Sequence, residues 1–246
     1  MLIAWIIICS LLGSIISVCG AALLLYFYDG VRKTLVPCLI SYATGTLLGA
    51  AFLGMLPRAL EHSEPNQILV VLLFGIILFF TLEKFVLWRH CHDHKCEIHS
   101  TAGHLILIGD AFHNFIDGVV ITATFLVSIP LGIAAALAVI AHEVPQEIGD
   151  FAILLESGFS KKKAFIYNLL SSITTLPGAI IAYIYLKEML TAIPYILALS
   201  ASSFIYIATA DLIPMLHKKI GMKENLLQLV LLLAGIGTIF LFKLSQ

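Results

Sequence analysis

Charged residues are scarce in this chain. Only 12% of its 246 residues are Asp, Glu, Lys or Arg, whereas about a quarter of the residues in soluble domains are charged. Hydrophobic residues make up 60% of the chain, and its mean hydropathy is +1.03. A chain with so few charges cannot cover a folded domain with a water-facing surface. The composition therefore predicts an all-α integral membrane protein.

Several other features are missing, and each absence reduces the range of functions that the sequence allows. No large basic patch is present, so a nucleic-acid partner is not expected. The sequence has no nucleotide-binding motif and no room for a nucleotide domain, so ATP is not expected to drive it. Its five cysteines form no disulfide framework, and those in apolar runs (Cys9, Cys19 and Cys38) are predicted to be small buried residues. The first apolar run lacks a basic segment before it and is predicted to be a retained span.

Long apolar runs fill almost the whole chain. A membrane-spanning helix needs about 20 residues, and the length allows about eight such helices. The runs lie at about 2–27, 35–60, 67–88, 102–128, 131–157, 162–186, 190–216 and 225–242. The sequence therefore predicts a single transmembrane domain, residues 1–246, with eight transmembrane helices.

Basic residues are concentrated in the loops on one side of these eight spans. The other side holds only Arg58, Lys187 and Lys243 of the 14 basic residues. Because cytoplasmic loops carry an excess of Lys and Arg, the basic side is predicted to face the cytoplasm. Both termini of this multi-pass protein are then outside the cell membrane.

Nine polar residues lie in the fourth and fifth spans, where helices should be apolar. They are Asp110, His113, Asn114, Asp117, His142, Glu143, Gln146, Glu147 and Asp150. Residues three or four positions apart share a helix face, so the members of each span form stripes. A charged group at the bilayer centre costs about 2.5–3.5 kcal/mol. These side chains are therefore predicted to face one another, water or a cation.

A cation explains this stretch most simply, because few basic residues are available at that depth. Carboxylate, imidazole and carboxamide groups together suit a divalent first-row metal. Mixed nitrogen and oxygen ligands of this kind suit zinc, iron or manganese. Pro145 removes one backbone hydrogen bond within the fifth span, and a helix broken there would expose a carbonyl beside His142.

Other interpretations of these residues stay open from the sequence. His113 and His142 could hydrogen-bond between helices, and Pro145 could be an ordinary kink. Asp110 and Asp150, expected towards opposite ends of the cluster, could line the mouths or cap helices. Glu147 could support a ligand without being one.

A cation site within a membrane could belong to a transporter, and two other functions compete with that interpretation. His142-Glu143 begins like the HExxH motif of zinc proteases, but Gln146 stands where the second His would be. A cation exporter is the other alternative, although six spans and a cytosolic domain would be expected for it.

The paired motifs resemble those of the ZIP family of divalent-metal transporters. The fourth span reads HNFIDG from His113, where the family has HNxxDG. The fifth reads HEVPQEIGD from His142, where one branch has HExPHExGD. The second span (GMLPRALEH) and the seventh (ASSFIYIATADLIPML) are also similar.

This resemblance implies an eight-helix bundle with an inverted repeat of three helices, and often a homodimer. It implies import of zinc, iron, manganese or cadmium into the cytosol, and no enzyme activity. Its metal ligands would be His113, Asn114, Asp117, His142, Glu143 and the residue at 146, with Asp211 on the transport path. Gln146 departs from the His of that branch, and the sixth span has no acid before Pro177. Short loops favour a prokaryotic inner membrane.

The longest loop, residues 89–101, is rich in metal-binding side chains. Its candidate ligands are His90, Cys91, His92, His94, Cys96 and His99. This composition predicts a cytosolic metal-binding segment, although the cysteine spacing matches no closed zinc-finger template. A polar connector without metal affinity is the alternative.

Overall fold

The computed structural model describes residues 2–24, 29–90, 98–217 and 221–244. Eight segments in this part of the chain are long and apolar enough to cross a membrane. The prediction of an all-α protein with eight spans is confirmed.

The helices follow one another with short connections. In chain order they are α1 (Leu2–Leu24), α2 (Asp29–Gly49), a π segment (Ala50–Met55), α3 (Leu56–Glu61), α4 (Pro65–His90), α5 (Ile98–Val127), α6 (Ile129–Glu156), α7 (Lys161–Ser172), α8 (Thr175–Glu188), a 3-10 turn (Leu190–Ala192), α9 (Ile193–Tyr206), a second π segment (Ile207–Leu212), α10 (Ile213–Leu216) and α11 (Met222–Leu244). The second, sixth and seventh spans are thus each built from more than one piece.

Matching helix pairs indicate an internal repeat. Helix α1 of the first span packs against α6, and α8 of the sixth span packs against α5 in the same way. Similarly, α2 of the second span packs against α11, and α9 of the seventh span packs against α4. The two π segments are both six residues long, and each is followed by a proline at the second position, Pro57 or Pro214. These pairings fit the inverted three-helix repeat that the resemblance implies.

Glycines allow some helices to approach unusually closely. A Cβ atom on Gly45 of α2 would overlap the backbone of Leu232 in α11. A Cβ on Gly118 of α5 would overlap the backbone at Thr175 in α8, and one on Gly178 would overlap the backbone of Phe115. The contact between α5 and α8 therefore depends on two glycines facing opposite ways, and it fixes the distance between two helices that carry polar residues.

The sixth span is interrupted at Ile173 and Thr174, between α7 and α8. Hydroxyl groups bond backbone oxygens three or four residues earlier on both sides of this interruption, from Ser171 to Tyr167 O (3.1 Å) and from Thr175 to Ser172 O (2.8 Å). Such bonds offer the backbone an alternative to a regular helix. The interruption lies directly opposite the polar stretch of α5.

Helix α6 continues through Pro145, so the fifth span is not divided into two helices there. A single proline removes one hydrogen bond, and the packed neighbouring helices hold the rest. One sequence expectation is corrected. Cys19 is exposed, and Cys9 and Cys38 are only partly buried. In a membrane bundle, apolar residues can face lipid as well as the core.

Candidate metal site

Two histidines and two acids from α5 and α6 form the centre of the site. The two helices are consecutive and antiparallel, joined at Ser128, whose side chain accepts a hydrogen bond from the Leu131 amide and caps α6. This tight connection sets the register of the two polar stripes. One ligand atom from each of His113, Asp117, His142 and Glu143 lies within 4.8 Å of the others.

The distances within this group are short and similar to one another. His113 Nε2 lies 3.2 Å from His142 Nε2, 3.7 Å from Asp117 Oδ2 and 3.6 Å from Glu143 Oε1. His142 Nε2 lies 3.3 Å from Asp117 Oδ2 and 3.8 Å from Glu143 Oε1. Four ligands held about 2.0–2.2 Å from a tetrahedral zinc lie about 3.3–3.6 Å from one another. The spacing of the four atoms therefore suits a tetrahedral ion.

The backbone of α6 fixes the tautomer of His142. Its Nδ1 lies 2.9 Å from the carbonyl oxygen of Ala138, and a carbonyl can only accept a hydrogen bond. Nδ1 must therefore carry the proton, and in the neutral ring Nε2 keeps a lone pair directed into the group. Metal-ligating histidines are commonly oriented in this way. Phe204 of α9 packs edge-on against the same ring at 5.9 Å.

The acids of this group are buried without hydrogen bonds. Asp117 and Glu143 are 0% and 2% exposed, and none of their four carboxylate oxygens accepts a hydrogen bond from a described residue. Their ion-pair partners in the described chain are the two histidines. Buried carboxylates without donors are costly, so this arrangement is suited to a positive ion. Only His113 is noticeably accessible, with 20% of its side chain exposed.

A second group contains only carboxylates and shares Glu143 with the first. One oxygen from each of Asp110, Glu143 and Glu147 lies within 4.8 Å of the others. Both oxygens of Glu147 and one of Asp110 lack a hydrogen-bond partner among the described residues. Asp150 is buried one helical turn further along α6.

The predicted positions of Asp110 and Asp150 need a correction. The sequence predicts them towards opposite ends of the cluster. Because α5 begins at Ile98 and α6 ends at Glu156 in antiparallel directions, both aspartates and Glu147 lie on the same side of the histidines. We call this the loop end of the site, because α5 begins there, after the segment that follows α4.

The carboxamides of Asn114 and Gln146 do not join the four-ligand group. Gln146 Nε2 donates to Asp110 Oδ1 at 3.3 Å, and Asn114 Nδ2 donates to the same oxygen at 3.0 Å. Their role as metal ligands stays a prediction. Asp211 lies in the second π segment with an exposed side chain, apart from both groups.

A hydroxyl network behind Asn114 was not predicted. The Thr175 hydroxyl lies 3.1 Å from Asn114 Oδ1, so its one proton is shared between this oxygen and Ser172 O. Ser14 of α1 lies 3.4 Å from the Thr175 hydroxyl and donates to Ser172 O at 2.9 Å. The Ser/Thr-rich SSITT sequence was the available signal. The predicted ligands of the 89–101 loop cannot be placed, because Cys91, His92, His94 and Cys96 and the side chains of His90 and His99 lie outside the described residues.

Comparison with known proteins identifies the family of the chain. The profile of the family described as ZIP zinc transporter matches residues 88–243. Zinc transporter ZIP13 from Pongo abelii is 34% identical, over 84% of this chain and 66% of its own length. Zinc transporter SLC39A7 from Rattus norvegicus is 29% identical, over 85% of this chain and 65% of its own length.

Zinc transporter foi from Drosophila melanogaster is 39% identical over 60% of this chain and 21% of its own length. The chain thus spans just under two thirds of the first two relatives and about a fifth of the third. The residues matched by the family profile include both polar stretches, in α5 and α6. The chain therefore belongs to the ZIP family of zinc transporters.

Proposed function

We propose that this protein carries divalent transition metals across a membrane, with zinc as the first substrate. Manganese, iron and cadmium are the alternative substrates. The observation that carries the proposal is the set of four ligand atoms, in which five of the six pairs are separated by 3.2–3.8 Å. Two imidazoles and two carboxylates at this spacing form a mixed nitrogen and oxygen site of the kind zinc occupies.

The proposed direction is inward. The ion enters beside the partly exposed His113, binds the four-ligand group, and then moves along α5 and α6 past Asp110, Glu147 and Asp150. The excess of basic residues at the loop end supports a cytosolic position for that end. Asp211 and the 89–101 loop then lie on the cytosolic side of the path, and both termini lie outside.

A transporter fits the site better than a hydrolase does. Catalytic zinc sites keep a position open for water, using three protein ligands. Here four side chains converge, which would fill a tetrahedral ion. The zinc-transporter names of the relatives support the same choice.

Asp117→Ala and His142→Ala are expected to abolish metal uptake. Changing groups that merely support metal ligands reduces affinity by about 10–100-fold, so removal of a ligand should reduce uptake at limiting metal by at least 100-fold. The measurement is uptake of radiolabelled zinc, manganese, iron and cadmium into proteoliposomes of known orientation.

His62→Ala is the matched control for this experiment. His62 is exposed and hydrogen-bonded to the backbone of Arg58, so its removal should leave uptake at the level of the parent. If Asp117→Ala and His142→Ala also transport like the parent, the proposed site is wrong. Uptake only in vesicles with the loop end outside would overturn the proposed direction.

Removal of metal is expected to lower the thermal stability of the protein. A ligand present at 100 times its Kd stabilises the folded state by about 2.7 kcal/mol, which corresponds to roughly 5–10 °C in Tm for a chain of this size. The measurement is thermal unfolding of the purified protein with zinc and after chelation. Asp117→Ala should lose this dependence on zinc, and a parent protein whose Tm is unchanged by chelation would contradict the proposal.

A further inference from the structure

A groove opens between α5 and α7 on the outer surface of the bundle, near the loop end. It has a volume of about 370 Å³ and is lined by Leu107, Ile108 and Ala111 of α5 and by Tyr167, Leu170 and Ser171 of α7. Ile108 and Leu170 are 67% and 59% exposed, so the groove faces away from the bundle. Apolar side chains on the outside of a membrane bundle contact lipid. We call this surface the α5/α7 groove.

The polar groups at the inner end of the α5/α7 groove are bonded within the protein. The Thr174 hydroxyl lies 2.5 Å from Ala111 O and 2.6 Å from Ser171 O. The Ser171 hydroxyl lies 3.1 Å from Tyr167 O and 3.0 Å from Asn168 O. Because these hydroxyl protons are already directed to backbone oxygens, the inner end of the groove suits a hydrocarbon chain better than a polar ligand.

Three consecutive lysines begin α7 at the other end of the groove. Lys161, Lys162 and Lys163 are all exposed, and the sequence has no Asp or Glu from residue 157 to residue 187. The span that they begin is 28 residues long, whereas about 20 residues are enough to cross the hydrocarbon layer. The lysines therefore lie at the level of the lipid headgroups, where they form a positively charged surface.

One face of α7 connects these lysines to the groove. Lys163, Tyr167 and Leu170 are four and three residues apart and so share this face. At a rise of about 1.5 Å per residue, the backbone of Leu170 lies about 10 Å deeper than that of Lys163. Between them, the Tyr167 ring packs edge-on against Phe159, with 5.6 Å between the ring centroids, and tyrosine is enriched at membrane interfaces. A cation, an amphipathic ring and an apolar groove thus follow one another from the surface inwards.

We propose that the α5/α7 groove binds a phospholipid with an anionic headgroup. The headgroup lies on Lys162 and Lys163, and one acyl chain follows the groove past Tyr167 to Ser171. Charge complementarity selects the headgroup, because lysines at a membrane surface attract anionic lipids and the N-terminus of α7 adds a partial positive charge at the same place. The bound lipid contacts α5 and α7 together, so it stabilises their packing at the loop end independently of the metal.

Native mass spectrometry of the full chain in detergent tests this proposal. The probes are phosphatidylglycerol and phosphatidylcholine with identical acyl chains, so that only the headgroup charge differs. One phosphatidylglycerol should bind tightly, and the change Lys162→Gln/Lys163→Gln should weaken it by about 25-fold, or about fivefold for each lysine. Phosphatidylcholine that binds as tightly as phosphatidylglycerol to the parent protein would overturn the proposal.

Lys84→Gln/Lys223→Gln is the matched control for the lysine variant. It removes the same charge from two exposed lysines on α4 and α11, which pack mainly against α9 and α2. Phosphatidylglycerol binding should change by less than about twofold, since these lysines lie apart from the groove. An equal loss in both double variants would show a general attraction to the basic side of the protein, and the groove would then not be a specific site.

Ala111→Phe tests the path of the acyl chain, because it fills the groove and leaves the lysines in place. Displacing two or three methylene groups of the chain should weaken phosphatidylglycerol binding by at least about tenfold. Ile108→Trp covers the groove from an exposed position and is expected to act in the same direction. Thermal unfolding of each variant distinguishes a loss of lipid binding from a loss of folding. Parental binding in a folded groove variant would mean that the chain lies elsewhere, and would overturn the proposal.

Discussion

Replacing Glu143 with glutamine is expected to abolish metal uptake and, at the same time, to raise the Tm of the metal-free protein. Glu143 is the one residue shared by the four-ligand group and the carboxylate group. The substitution keeps its shape but removes the negative charge and weakens it as a ligand. Uptake should fall by at least about 100-fold, beyond the effect expected for a supporting residue.

The gain in stability has a separate physical cause. Glu143 is 2% exposed, and both of its oxygens lack hydrogen-bond partners among the described residues, with Asp110, Asp117 and Glu147 nearby. An unsatisfied buried polar group costs about 1–3 kcal/mol and a charged one more. Relief of about 1 kcal/mol would raise the Tm by about 2–4 °C.

Paired measurements on the same preparations check this prediction. Radiolabelled zinc uptake should be lost, and unfolding after chelation should occur at a higher temperature than in the parent. Glu64→Gln is the matched control, because Glu64 is exposed, and it should change neither quantity. A Glu143→Gln protein that transports zinc at the parental rate would exclude this residue as a ligand.

Gly118→Ala is expected to separate α5 from α8 and to destabilise the protein. The added methyl group would overlap the backbone of Thr175 and Ala179, and backbone atoms cannot move aside as a flexible side chain can. Overpacking of this kind costs about 1–3 kcal/mol. Because Asn114 on α5 is bonded to Thr175 on α8, metal binding should also weaken.

Gly149→Ala makes the same chemical change where nothing lies within 4 Å of the added atom. Since glycine is unfavourable inside a helix by about 0.5–1 kcal/mol relative to alanine, this control should be neutral or slightly stabilising. Thermal unfolding in detergent and zinc binding compare the two variants. If Gly118→Ala were as stable as Gly149→Ala, the close approach of α5 and α8 would not be needed for the fold.

The central residues of the site could be predicted from the sequence because they depend on short-range periodicity. His113 and Asp117 are four residues apart on α5, and His142 and Glu143 are adjacent on α6. Two antiparallel helices with a tight connection bring such stripes together, because the short connection allows little change in the register of one helix relative to the other. The resemblance of the two motifs to those of the ZIP family indicated the family, which the spacing of the polar residues alone does not indicate.

The orientation of the amides could not be predicted from the same pattern. Asn114 and Gln146 lie on the expected faces, but their contacts with Asp110 depend on rotamers and on hydroxyl groups from α8. Likewise, α6 continues through Pro145, whereas the sixth span is divided at Ile173 and Thr174. Whether a helix tolerates a local defect is decided by neighbouring helices, and a single sequence does not contain that information.

The two π segments have a consequence for labelling experiments. Each residue of an α-helix turns the chain by about 100°, and a π turn takes in one extra residue. Side chains after Met55 and after Leu212 are therefore shifted around the axis relative to a continuous helical wheel. In a cysteine scan across residues 34–61, labelling should follow one helical periodicity before Ala50 and a second, rotated one after Met55. A single period fitted through the whole span would assign Arg58 to the wrong face.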